Sequence, residues 1–194
     1  GPHGPGQARL DRGDGTFENP DNYVNPDFVA WATGWTDYLP SDSGDDWSGD
    51  WDDPTKALGP VTGQNYDIVS LGELDADEIA AGDPPGWITV TFDRPICDGD
   101  GADFAVFENG FLAGQDIWAE LGYCEVSSNG VDFARFPSVS LTPEQATDYG
   151  IIDPTEVFGL VGKHANNDGE CWGTPFDLAG MADHPSVLNR DVDI

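Results

Sequence analysis

The chain has 194 residues, long enough for one domain with a buried core. Its 37 acidic side chains face 7 basic ones, a formal net charge of -30. A surface of that sign repels nucleic acid and anionic lipid, which excludes both as partners. No segment approaches the roughly 18 consecutive apolar residues of a membrane span, and no signal peptide is present, so the chain reads as the mature form of a secreted protein.

Acidity of this degree arises from disorder, from adaptation to high salt, or from carboxylates gathered around hard cations. Disorder is excluded for most of the chain by 7 Trp, 10 Phe and 5 Tyr, which are core-building residues. Salt adaptation enriches Glu as well as Asp, whereas 28 Asp stand here against 9 Glu. Nearly half of those Asp, 13 of the 28, neighbour Gly, Pro, Asn or another Asp, the turn contexts in which Ca2+ sites draw short carboxylates and backbone carbonyls together. Cation binding is the expected cause. Cys97, Cys124 and Cys171 are an odd number, compatible with one disulfide and one thiol, and their spacing fits neither a zinc site nor a Cys nucleophile.

In chain order, residues 1–24 are rich in Gly, Pro, Asp and Asn without periodicity, and are expected to form an extended arm ahead of a single domain over 25–194. Asn25-Pro26-Asp27 predicts the start of a short helix, with a cap, a Pro at the first helical position and an acid at the amino end. Residues 41–54 are an acidic loop carrying Trp47 and Trp51, either pinned by those rings or presenting them to a ligand. From residue 66 onward, short β-like runs at 66–71, 87–92, 104–107, 121–127 and 131–136 are separated by turn clusters, with Asn129-Gly130 marking a hairpin. Capping boxes predict helical turns at 142–145 and 153–156. Short strands with small helices in the connections, and no alternation of strand and helix, predict a mainly β fold: an antiparallel β-sandwich of jelly-roll type.

The densest set of oxygen ligands is Asp98, Asp100 and Asp103 in a Gly-containing loop, followed by Glu108 and Asn109 at the end of a predicted strand. Glycines let such a loop fold its carboxylates around one point, as Ca2+ requires. Counting from Asp98 puts Asp103 sixth and Asn109 twelfth, where an EF-hand needs Gly and Glu, so the loop is of another kind. The strand period of two aligns Glu108 with Phe104 and Val106. A carboxylate continuing an apolar face needs a cation or a buried basic partner, and basic residues are few. Asp177, after an aromatic and before Leu178, is a distant candidate ligand. His164 is a candidate for a sugar hydroxyl or a softer metal.

Six stretches taken together resemble a group of bacterial secreted and cell-surface proteins, often with carboxy-terminal sorting anchors and of unassigned role. They are FVAWATG at 28–34, DPTKALGP at 53–60, DIVSLG at 67–72, DFAVFENGF at 103–111, EVSSNGV at 125–131 and GTPFDL at 173–178. EVSSNGV is also similar to discoidin-like carbohydrate-binding sandwiches. The resemblance implies a secreted or surface location and further strands after Ile194, so the sandwich is expected to lack a carboxy-terminal portion. The leading functional expectation is a non-enzymatic module in which Ca2+ orders loops that present Trp47, Trp51 and His164 to a glycan or matrix partner. A subunit of an extracellular fibre or coat, assembled through exposed strand edges as a homo-oligomer, is the second reading. A carboxylate-based glycosidase is the third, though no acidic pair stands out and no GxSxG, HExxH or P-loop motif is present.

Overall fold

The computed structural model describes residues 28–41, 51–64, 66–114, 116–143, 151–166, 172–181 and 184, with the backbone of 10–11 and 17–18. The protein is mainly β. Its strands are β1 (Leu10–Asp11), β2 (Phe17–Glu18), β3 (Gly34–Leu39), β4 (Trp87–Thr91), β5 (Phe104–Val106), β6 (Phe111–Ala113), β7 (Asp116–Trp118), β8 (Glu125–Val126), β9 (Ala134–Arg135), β10 (Val139–Ser140), β11 (Ile151–Ile152), β12 (Val157–Phe158) and β13 (Thr174–Phe176). Among the described residues they form five antiparallel pairs, β1–β2, β3–β4, β5–β13, β8–β9 and β10–β12, and one three-stranded sheet in the order β11–β7–β6.

By its contacts the chain divides into two compact units, one within Gly1–Phe28, Val61–Asn65 and Arg94–Ile194, the other within Val29–Pro60 and Tyr66–Asp93. The first holds both buried clusters. In one, Cys124, Val126, Ala134, Phe136, Phe176, Leu178 and Met181 pack with Phe104 and Val106 from β5. Its centre is a triplet of rings: Phe104 stacks on Phe176 at 5.4 Å between centroids, and Phe136 meets both at 5.9 and 4.8 Å. Such contacts add to the area the rings remove from water. In the other cluster, Ile117 of β7 and its cross-strand partner Ile152 of β11 pack with Val157, Leu160 and Ala165. Cys124 is a buried thiol, pushed up to about 12 by burial and the neighbouring Glu125.

The second unit is built on β3 and β4. Their ladder shifts register between Thr36 and Leu39, where Asp37 takes a left-handed φ of 51°. Tyr38 reaches out of the pair to donate to the Ser70 carbonyl at 2.7 Å. Helix α1 (Ala76–Ala81) opens on a capping box: Asp75 accepts from the Asp77 and Glu78 amides while Glu78 reaches back to the Asp75 amide, and Gly82 closes it in the left-handed region. Asp75→Ala is expected to lower stability by about 1 kcal/mol in urea unfolding, a typical cap loss.

Several predicted elements are revised. Phe28, Val29 and Trp31, expected to be carried by the helix starting at 25–27, lie in a non-helical stretch leading into β3, with Thr33 donating to the Thr91 carbonyl and the Ala32 carbonyl accepting from Gly59; Asn25, Pro26 and Asp27 lie outside the described residues. The run at 66–71 is not a strand: Ser70 donates to the Trp51 carbonyl and the Leu71 carbonyl accepts from Ser41, so the segment is pinned singly rather than in a ladder. The runs at 121–127 and 131–136 shorten to β8 and β9, which do form a hairpin, with Val126 opposite Ala134. Their turn is longer than the Asn-Gly pair implies because Asn129 Oδ1 accepts from the Val131 and Asp132 amides. The turn at 153–156 is a short 3-10 helix capped by Asp153; of the one expected at 142–145, Glu144 and Gln145 lie outside the described residues.

Candidate cation site

The register of β5 and β13 sets the site. Phe104 lies directly opposite Phe176, and both rings are locked in the core, so the residues just outside that pair, Asp103 and Asp177, leave the sheet at the same end. The ladder extends one bond further, from the Asp103 amide to the Phe176 carbonyl at 2.8 Å. Asp103 then ties two segments together: its Oδ1 accepts from the Gly99 amide and its Oδ2 from the Leu178 amide, both at 2.7 Å. The first bond folds the 98–103 loop back on itself, helped by Gly101, whose φ of 88° a side chain would strain. Asp177 accepts from the Ala179 amide and opens the 3-10 turn Leu178–Met181, whose Leu178 and Met181 side chains are buried.

One oxygen each from Asp98, Asp103 and Asp177 lies within 4.8 Å of the other two. Ca2+ binds oxygens at 2.3–2.6 Å, so two ligands of one ion stand at most about 5 Å apart, and the three oxygens fit that span. Asp103 is half-buried while Asp98 and Asp177 are exposed, which leaves room for water or carbonyls in the remaining positions. Each carboxylate oxygen carries more than one lone pair, so the amide bonds do not exhaust them. Three anions this close repel one another, and a divalent cation offsets that repulsion.

Asp100 is exposed and is not one of the three. Glu108 and Asn109 follow β5 at its other end, roughly 16 Å of extended chain from Asp103, in a different environment. Glu108 is half-buried, its carboxyl pushed up to about 8, first by burial and then by Glu120, against the pull of the Gly110, Asn109 and Glu120 amides. Gly110 donates to its Oε2 at 2.9 Å. The carboxyl that the sequence demanded a partner for is thus met by backbone N–H groups, those of Gly110, Asn109 and Glu120. The enclosure depends on Gly162, where a Cβ would come within 2.2 Å of the Glu120 carbonyl and 3.1 Å of Glu108 Oε2.

Of the candidate ligand-contacting residues, Trp47 lies outside the described residues. Trp51 is half-buried in the second unit, its carbonyl held by Ser70. His164 is half-buried in the first unit beside core residue Ala165 and joins no group of potential metal ligands among the described residues. Sequence reasoning missed a shallow cleft of about 340 Å3 in the second unit, lined by Leu39, Pro40, Ser41, Leu74, Asp83, Pro84, Pro85 and Trp87. Its signal was Pro84-Pro85 one residue, Gly86, ahead of Trp87.

No family model, curated protein or solved structure matches the chain. The functional reading accordingly rests on the residues themselves. Among the described residues, no helix is long and apolar enough to cross a membrane.

Proposed function

We propose that this chain is a secreted, non-enzymatic β-sandwich module of the bacterial cell surface that holds Ca2+ through Asp98, Asp103 and Asp177 and recognises a glycan or matrix component. The observation that carries the reading is the convergence of three carboxylates, from a Gly-containing loop and from the turn after β13, on one point. The resemblance of the six motif stretches to bacterial surface proteins supports the location. The Trp87 cleft supports the ligand class: Trp87 is 44% exposed beside prolines, with Asp83 and Ser41 as polar groups, and apolar rings with a few placed hydrogen-bonding groups suit a sugar.

A cation that binds only the folded state raises the melting temperature. Wild type is expected to melt several degrees higher in Ca2+ than in chelator. Asp98→Asn is expected to lose that difference while melting like wild type in chelator, because Asp98, unlike Asp103, does not bridge the loop to the Leu178 amide. An equal melting temperature for wild type in both conditions overturns the cation reading. A glycan array probed with wild type and Trp87→Ala separates the second half: binding that Trp87→Ala abolishes is the expected result, and no binding on any glycan removes that half alone.

A further inference from the structure

β4 pairs with β3 along one edge, and among the described residues no strand lies along its other edge. An exposed edge offers unpaired N–H and C=O groups to any extended chain, and natural sheets protect such edges with charge, Pro or a bulge. β3 carries both a charge and a bulge, at Asp37 and the register shift beside it. β4 carries neither: Trp87-Ile88-Thr89-Val90-Thr91 has no charged side chain, in a chain of net charge -30, and four of its five residues are β-branched. Val90 is 36% exposed, and so is Trp35 beside it at 41%.

We propose that β4 is a homodimerisation edge, on which two copies of the chain pair antiparallel about a two-fold axis at Thr89 to give a sheet in the order β3–β4–β4–β3. Isologous pairing of this kind requires a self-complementary strand. With the axis at Thr89, Ile88 falls opposite Val90 of the second copy and Trp87 opposite Thr91, both favourable cross-strand pairs. Gly86 then meets Phe92, and Pro85, which has no N–H, ends the ladder with Asp93 opposite it. No carboxylate faces another. This argues for a second copy over a different partner: a basic partner would be drawn to an acidic strand, whereas two bodies of charge -30 meet favourably only where neither presents charge. The inference does not depend on the cation reading.

Sedimentation equilibrium of the full chain tests it, in chelator, at low and high salt. Wild type is expected to pass from monomer to dimer with concentration, and at least about tenfold more tightly at high salt, where the long-range repulsion is screened. Thr89→Lys, which sets two like charges at the axis, is expected to stay monomeric with an unchanged melting temperature. Hydrogen exchange on wild type supplies a readout that needs no variant: the Ile88, Thr89 and Val90 amides are expected to gain protection as concentration rises. Three results overturn the proposal. One is wild type monomeric throughout, as when a segment of the same chain covers the edge. The others are a dimer undiminished in Thr89→Lys and β4 protection independent of concentration.

Discussion

Phe176→Ala is expected to destabilise the protein by about 3–5 kcal/mol, the usual loss for a buried Phe truncated to Ala, and to weaken Ca2+ binding at least about tenfold, or 1.4 kcal/mol. The two effects share one cause. Phe176 is 4% exposed and touches both other rings of the triplet, and through its pairing with Phe104 it aligns Asp103 with Asp177. Removing the ring leaves a cavity beneath the strand ends that carry two of the three carboxylates. Urea unfolding in chelator measures the first effect. Calcium titration at a temperature where the variant is still folded measures the second. Met181→Leu, a volume-conserving change in the same cluster, serves as the control and is expected to cost under about 1.5 kcal/mol with binding retained. A folded Phe176→Ala variant that binds Ca2+ like wild type would show that the core does not position the site.

The second large effect is on pH dependence. Glu108 has its folded-state pKa raised from 4.5 to about 8. Its contribution is therefore fully present below pH 4.5, where both folded and unfolded chains hold the proton. Stability falls as pH rises from there to about 8, because the unfolded chain has released a proton that the folded chain retains. Above pH 8 both are ionised and the loss is constant, on the order of 4 kcal/mol. Urea unfolding from pH 5 to 9 is expected to show this decline in wild type. Glu108→Gln, which resembles the protonated acid, is expected to remove most of it. Glu120→Gln should move the midpoint lower, since Glu120 is the charge that helps keep Glu108 protonated. Equal pH profiles for wild type and Glu108→Gln would contradict the assignment.

Much of the first unit was legible along the sequence. The alternation in 103–108 puts Phe104, Val106 and Glu108 on one face, and all three side chains are at least half-buried, with Phe104 and Val106 against the core. Asp177 was legible as a distant partner for the 98–103 loop because it follows an aromatic that had to be buried. What local patterning does not reveal is which long-range neighbours close around a group. Glu108 needed a partner, and the partners are amides, one of them on Glu120, in a pocket where Gly110 and Gly162 leave no room for a side chain. β13 was hidden by its three-residue length and by Pro175. In the second unit, β3 follows a stretch with helix-start signals, and lateral bonds from Thr33 and to Ala32 override them. The capping box at Asp75–Glu78 with Gly82 after it was a readable signal for α1, and sequence reasoning passed over it.

The central claim is that Asp98, Asp103 and Asp177 hold one cation. Isothermal titration of the chelator-stripped full chain with Ca2+ tests it most directly, with Asp98→Ala and Asp177→Ala alongside and each variant checked for folding by its near-ultraviolet dichroism. Saturable binding in wild type that both variants lose, while remaining folded, is the expected result. Wild type without saturable binding, or variants that bind as tightly as wild type, would contradict it.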